Sequence, residues 1–233
     1  MFTADDLTRL AKACGAKAAA AVVQGIVDNQ DWLEAGGIDT PAREAEFLAQ
    51  ACLETDYFRT LREYWGPTKA QAGYEGRKDL GNVVAGDGKR FMGRGIFQLT
   101  GRANYASYGK RLGLDLLKEP QLAERPDISL RIAAMYWNDK GLNAYADKGD
   151  TAAISRAINR GNAKSKSPAN HEADRIKIAK LAREIIAPGS IAVLPPEPVK
   201  PAPTLTEELP TTGQPGILAR FFSAFFRRLK GAA

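Results

Sequence analysis

The sequence predicts a mainly α-helical fold with a small β- or turn-rich insert, followed by a Pro-rich linker and a C-terminal amphipathic helix. Apolar residues recur at helical spacing through most of the first 186 residues. Glycine is concentrated between residues 66 and 95, with eight in thirty residues, and seven of the thirteen prolines lie between 195 and 215. We therefore expect one domain over 1–188, a linker over 189–215 and a tail helix over 216–233.

The helical segments have recognisable start and stop signals. Residues 4–35 have a helical pattern that breaks near Gly15. Asp39-Thr40-Pro41 supplies an N-cap and a proline at the first helical position, which predicts a helix that ends near Glu54. Its buried stripe is expected to be Ala45, Leu48, Ala49 and Cys52. Further helices are expected over 105–112, 128–138, 151–159 and 172–186, with Gly113, Gly141 and Gly161 as stops.

Cysteine and histidine are scarce, which excludes several kinds of chemistry. Cys14 and Cys52 cannot build a disulfide framework, and we interpret both as reduced core residues. His171 is the only histidine, so a His-based metal site or a Cys–His nucleophile pair is disfavoured. We expect neither a metal nor a cofactor.

The first residues of the sequence predict the location of the protein, and its net charge predicts the kind of partner that it binds. The sequence opens with Met1-Phe2-Thr3-Ala4-Asp5-Asp6 rather than with basic residues, and the apolar run at 18–23 is too short for a signal peptide, so we expect a cytosolic protein. The net charge is +6. This charge favours polyanionic partners. The sequence contains no recognisable nucleic-acid-binding motif, and we do not expect the protein to bind nucleic acid. A monomer is the default expectation.

Glu54 and Glu63 are candidates for a pair of carboxyl groups in different surroundings, with the alternative that both, like most of the 27 acids, are solvated surface charges. Cleavage of a glycosidic bond would need such a pair, with one carboxyl protonated and the other ionised. Glu54 shares a helical face with Phe47 and Ala51, and partial desolvation there would raise its pKa and suit a general acid. Glu63 follows nine residues later, roughly 13 Å away if the helix continued. The chain must therefore turn after residue 55, and a separation of about 6.5–9.5 Å would leave room for a water and predict inversion.

Several blocks resemble glycoside hydrolase family 19. The first is Phe47-Leu-Ala-Gln-Ala-Cys-Leu-Glu54-Thr with Glu63, which is similar to the family's His-Glu-Ser/Thr signature and its downstream glutamate. The second runs through Tyr74-Glu-Gly-Arg-Lys-Asp-Leu-Gly-Asn82 and from Gly86 to Tyr105, and resembles bacterial and phage members. The resemblance implies a lysozyme-like fold, with Glu54 as the acid and Glu63 as the base. It also implies that Thr100 holds the attacking water and that Gln98, Asn104 and Tyr105 line the sugar groove.

A third block extends the resemblance towards residue 185. Ala134-Met-Tyr-Trp137 and Ala157-Ile-Asn159-Arg-Gly161 resemble the family's aromatic helix and its Ile-Asn-Gly-Gly element, which implies that Asn159 contacts substrate. Arg175 matches an arginine that pairs with the catalytic acid, and we group it with the substrate-binding residues. The sequence departs from the family at Leu53, where histidine is usual, and at Arg160. A structural glycine-rich loop and a surface arginine are the alternative interpretations.

Family members divide between chitinases and the peptidoglycan hydrolases of phage lysis systems. The predicted cytosolic start, the phage-type Gly93-Arg-Gly95 block and the basic charge favour an endolysin of the muramidase type, stored in the bacterial cytoplasm until its release to the wall. A chitinase remains an alternative. The second alternative is a non-catalytic protein that binds the wall or a membrane. The tail pairs phenylalanines with Arg220, Arg227 and Arg228, which predicts an anionic membrane surface as a partner, or docking on the domain.

Overall fold

The computed structural model describes residues 1–66 and 68–186, and its fold is the mainly α-helical one that the sequence predicts. Both the predicted linker and the predicted tail helix lie outside the described residues. The α-helices are α1 (Ala4–Ala13), α2 (Ala20–Val27), α3 (Asp31–Ala35), α4 (Pro41–Glu54), α5 (Lys69–Ala72), α6 (Asp87–Arg90), α7 (Arg102–Leu112), α8 (Pro126–Asp139), α9 (Asn143–Ala146), α10 (Thr151–Arg160) and α11 (Glu172–Ile186), with 3-10 helices at Lys78–Leu80 and Pro120–Glu124.

Helix α4 is the centre of the domain. It begins as predicted, with the side chain of Thr40 accepting a hydrogen bond from the Arg43 amide and with Pro41 in the first turn. The predicted stripe is buried, but so is every other residue from Glu44 to Glu54. The reason is that α4 packs against α1, α9, α10 and α11, so polar side chains on it are also enclosed. The sequence predicts one buried stripe on this helix, whereas the structure buries all of its sides from Glu44 to Glu54.

The glycine-rich segment forms turns and short helices rather than strands. Among the described residues the β structure is limited to two isolated antiparallel bridges, Arg62 with Arg94 and Arg94 with Leu99. Leu99 of the second bridge belongs to a small second hydrophobic core, formed by Phe91, Leu99, Tyr105, Leu116, Ala123, Ile128 and Ile132. The predicted insert is therefore present, and its β part is minimal.

The predicted glycine stops agree with the structure. Helices α7 and α10 end at Gly113 and Gly161, and both glycines adopt the left-handed conformation that caps a helix at low cost. The predicted start of the α11 pattern at Glu172 is also observed. In the described part of the chain, no helix combines the length and apolar character that crossing a membrane requires.

Candidate active site

Glu54 is the last residue of α4, and its side chain is fully buried. Its Oε1 accepts a hydrogen bond from Nη2 of Arg175 at 2.5 Å, whereas Oε2 has no hydrogen-bond partner among the described residues. Burial raises the pKa of the Glu54 carboxyl, and the positive charge of Arg175 opposes part of that rise. A protonated carboxyl with one uncommitted oxygen can donate a proton. In this conformation a sugar can reach Oε2 only if covering side chains move.

Arg175, on α11, is also buried, with 1% of its surface exposed. The alternative of a surface arginine is therefore excluded, and the pairing with the predicted acid that the resemblance implies is present. Its other contacts are the Gln50 side chain and the carbonyl of Asn170. Its guanidinium is thus bound to groups within the protein, and the substrate-binding role that the resemblance implies for Arg175 stays a prediction.

The chain turns sharply after α4, as the spacing of the two glutamates requires. Asp56, Tyr57 and Phe58 have φ values of 51°, 60° and 60°, in the left-handed region that is costly for residues other than glycine. The Thr55 hydroxyl accepts a hydrogen bond from the Phe58 amide and so supports this turn. The segment that follows reaches the bridge at Arg62 and brings Glu63 beside the glycine-rich loop.

Glu63 lies in more polar surroundings than Glu54. Its Oε1 accepts hydrogen bonds from the Gln71 amide at 3.0 Å and from the Tyr74 hydroxyl at 3.1 Å, and its Oε2 accepts one from the Gly93 backbone amide at 3.0 Å. Burial and the nearby Glu63 charge raise the pKa of Tyr74, so its hydroxyl remains a proton donor to the carboxylate. The half-buried Glu63 carboxylate is held by three donors, two at the end of α5 and one in the glycine-rich loop, and this position would suit a base.

Gly93 brings Glu63 and Gln98 together. A Cβ at Gly93 would lie 2.6 Å from Oε1 of Gln98 and 3.3 Å from Oε2 of Glu63. Only glycine allows the backbone to approach both groups so closely. Gln98, which has a φ of 50°, donates from its amide to the Gly95 carbonyl. The structure thus places Gln98 beside the predicted base.

The other residues of this loop that were predicted to bind water or sugar, Thr100 and Asn104, form hydrogen bonds within the loop in this conformation. The Thr100 hydroxyl donates to the Gln98 carbonyl, and the Asn104 amide donates to the Thr100 carbonyl. Thr100 is 4% exposed and follows Leu99, which pairs with Arg94. These bonds fix the loop that carries Gln98. That Thr100 holds a water with Glu63, and that Asn104 lines a groove, stay predictions.

Tyr105 and Asn159 lie deeper than a groove-lining role requires. Tyr105 is fully buried in the second core, where its hydroxyl donates to the Met92 carbonyl and accepts from Arg94. It supports the backbone on either side of Gly93. Asn159 is likewise fully buried and accepts a hydrogen bond from the Asn170 amide. Through Asn170, it orients the carbonyl that holds Arg175.

Sequence reasoning did not find Gln50, Gln71 or Tyr74 as site residues. Gln71 closes a capping box with Thr68, and that local signal is visible in the sequence. Its amide also reaches Glu63, but this depends on the path of the chain between residues 63 and 71. Gln50 lies one helical turn before Glu54, on the same face, and its polarity in a buried helix is the signal that could have identified it.

The candidate site contains two carboxyl groups that could transfer protons. Across residues 1–66 and 68–186, no cluster of three or more histidine, cysteine, aspartate and glutamate side chains could hold a metal ion. Cys14 and Cys52 are free thiols, half-buried and buried respectively. What the arrangement offers is a buried acid at the end of α4 and a hydrogen-bonded carboxylate beside the glycine-rich loop.

Comparison with known proteins identifies relatives of this chain. The family model described as class I chitinase, glycoside hydrolase family 19, matches residues 8–145. A glycosyl hydrolase family 19 domain-containing protein of Haemophilus influenzae is 29% identical, over 55% of this chain and 76% of that protein. Chitinase 6 of Oryza sativa subsp. japonica is 32% identical, over 53% of this chain and 45% of that protein. The chain thus spans less than half the length of this plant relative.

Solved structures agree on the fold. Chitinase C from Streptomyces griseus HUT6037 superimposes with a TM-score of 0.61 at 20% identity, covering 79% of this chain and 91% of that one. A bacterial family 19 chitinase gives a TM-score of 0.56 at 22% identity, covering 70% and 85%. At these identities the likeness concerns the fold alone.

Proposed function

Because this chain belongs to glycoside hydrolase family 19, we propose that it hydrolyses β-1,4 glycosidic bonds of bacterial peptidoglycan and acts as an endolysin of the muramidase type. The observation that carries the proposal is the contrast between two carboxyl groups. Glu54 is buried beside Arg175 with its pKa raised, and Glu63 accepts hydrogen bonds at both oxygens. Two acids in contrasting surroundings are what acid and base roles require.

In the proposed reaction, Oε2 of Glu54 donates its proton to the oxygen of the leaving sugar. Glu63 accepts a proton from a water that attacks the anomeric carbon from the opposite side. Arg175 holds the Glu54 carboxyl in place, and its charge stabilises the carboxylate that remains after proton donation. Thr100 is proposed to help hold the water. A direct displacement of this kind inverts the anomeric configuration.

Charge supports the bacterial wall as the substrate. The net charge of the chain is +6, and peptidoglycan carries the carboxylates of its peptide stems whereas chitin is uncharged. The second candidate function is chitin hydrolysis, which the name of the rice relative favours. In both cases the bond cleaved is a β-1,4 bond next to an N-acetylated sugar.

Mass spectrometry of digests distinguishes these candidates. Purified full-length protein would be incubated with bacterial sacculi and, separately, with chitin oligosaccharides. Fragments of sacculi with new muramic acid reducing ends are expected. New glucosamine ends would reassign the bond, and products from chitin alone would favour the second candidate. Failure to release reducing ends from either polymer would contradict glycoside hydrolysis by this protein.

We propose further that the segment over 216–233 binds anionic membranes. It contains four basic residues, no acid and four phenylalanines, a composition that suits a lipid surface. The corresponding synthetic peptide is expected to release dye from vesicles that contain anionic lipid. Absence of leakage and of binding would count against a membrane role and favour docking on the domain. We also propose that the protein is a monomer that stays in the bacterial cytoplasm until it is released to the cell wall.

A further inference from the structure

A line of buried polar side chains follows one face of α4. Glu46, Gln50 and Glu54 are spaced four residues apart, which places them on the same face of the helix, and each is at most 1% exposed. They face α10 and α11. Glu46 pairs with Arg183 and Thr151, whereas Gln50 and Glu54 share Arg175. The proposed chemistry uses Glu54 and assigns no role to Glu46 or Gln50.

Arg175 divides its hydrogen bonds among different acceptors. Its Nε donates to the Asn170 carbonyl at 3.1 Å, its Nη1 to Oε1 of Gln50 at 2.7 Å and its Nη2 to Oε1 of Glu54. Arginine and a carboxylate commonly form a fork in which two N–H groups contact both carboxylate oxygens. Here Gln50 takes one of the N–H groups that such a fork would use. Only Oε1 of Glu54 is engaged, and its Oε2 has no hydrogen-bond partner among the described residues.

Gln50 is itself fixed in orientation. Arginine can only donate, so the side-chain oxygen of Gln50 must point towards Arg175. The nitrogen of the amide donates to Oγ of Ser155 at 3.2 Å, and Ser155 in turn donates to the Thr151 carbonyl at 2.6 Å. Gln50 therefore links α10 to Arg175, and rotation of its amide would break both contacts.

From this geometry we propose that Gln50 is a positioning residue that diverts Arg175 onto a single oxygen of Glu54 and so leaves the other oxygen able to carry the proton that is donated. The proposal rests on the proposed function, since it assigns Glu54 as the acid. Without Gln50, Arg175 can swing to contact both oxygens of Glu54. That contact would favour the ionised carboxylate and cover Oε2.

This rearrangement has a defined effect on the pH profile. The charged and titratable groups near Glu54 are Arg175 on α11, His171 just before it and Tyr136 on α8. Of these, Arg175 loses a partner when Gln50 is replaced. A second contact from Arg175 lowers the pKa of Glu54. Since the acid must be protonated, activity is present below that pKa, and the alkaline limb of kcat/KM moves to lower pH.

The test compares Gln50→Met, Gln50→Asn and Glu46→Gln with the wild-type protein. Methionine keeps the volume of the side chain and removes the acceptor, and asparagine withdraws the amide from Arg175. We expect both to move the alkaline limb down by about one pH unit, which lowers kcat/KM about tenfold above the limb and much less below it. Glu46→Gln, in the same buried line, is expected to leave the limb in place.

A uniform loss of kcat/KM at all pH values in the Gln50 variants would overturn the proposal and indicate a structural role. An unmoved limb would overturn it equally. If Gln50→Met does not fold, Gln50→Asn decides alone. Titration of the Glu54 carboxyl by carbon NMR in the wild type and in Gln50→Asn needs no substrate. It separates failure of this inference, in which the carboxyl titrates unchanged, from failure of the proposed function, in which wild-type protein cleaves no glycan.

Discussion

Replacing Glu54 with glutamine is expected to reduce kcat by about a thousandfold, within the range that general acid catalysis supplies. Glutamine has the same shape and keeps an oxygen that accepts the hydrogen bond from Arg175, but it has no proton to donate to a leaving sugar. The fold should be retained, because the side chain remains buried in the same packing. Reducing ends released from the preferred glycan measure the loss, and thermal unfolding measures the stability.

Glu46→Gln is the matched control for this variant. Glu46 lies on the same face of α4, is fully buried, pairs with an arginine of α11 and has a pKa that burial raises. It differs from Glu54 in its distance from the turn that leads to Glu63. We expect its kcat to stay within a few-fold of the wild-type value. An equal loss in both variants would show that the effect comes from the buried charge network and not from a lost proton donor.

The second large effect is expected from Gly93→Ala. The added methyl group would overlap Oε1 of Gln98 and crowd Oε2 of Glu63, and both belong to side chains that can be displaced. A displacement of about 1 Å in the base is enough to lower kcat about a hundredfold. The hydrogen bond from the Gly93 amide to Glu63 would be distorted at the same time. The measurement is kcat and KM on a soluble oligosaccharide.

Gly73→Ala provides the comparison for Gly93→Ala. Gly73 is exposed at the end of α5 with a φ of −70°, and a Cβ there would lie 3.2 Å from the Ala70 carbonyl. We expect it to change kcat less than threefold, because substitutions at exposed positions usually change the free energy of unfolding by no more than about 0.5 kcal/mol. If Gly93→Ala retained wild-type kcat, the close approach of Glu63 and Gln98 at this glycine would have no part in catalysis.

The helices could be predicted from the sequence because their boundaries depend on local signals. Thr40-Pro41 begins α4, and Gly113 and Gly161 end α7 and α10, as expected. The complete burial of α4 could not be predicted, because it depends on α1 and on α9, α10 and α11, which are distant from it in the sequence. The short helices at 69–72 and 87–90 were also missed. Each is four residues long, too short for an apolar period to be visible.

In the candidate site, too, the features that depend on neighbouring residues could be predicted and those that depend on distant residues could not. The turn after Glu54 and the burial of Glu54 follow from spacing and apolar neighbours, and both are observed. The deep placement of Tyr105 and Asn159 could not be read from residue type, because a hydroxyl or an amide serves a sugar and a backbone carbonyl equally well. The contribution of Gln50 depends on α11, whose Arg175 lies 125 residues further along the chain.

The configuration of the first product tests the central claim most directly. Proton NMR recorded during cleavage of a soluble β-1,4 oligosaccharide shows which anomer is released before mutarotation. With Glu54 as the acid and Glu63 as the base of a water attacking from the opposite side, the α-anomer must be released first. Initial release of the β-anomer would indicate retention and would contradict the roles assigned to these two carboxyl groups.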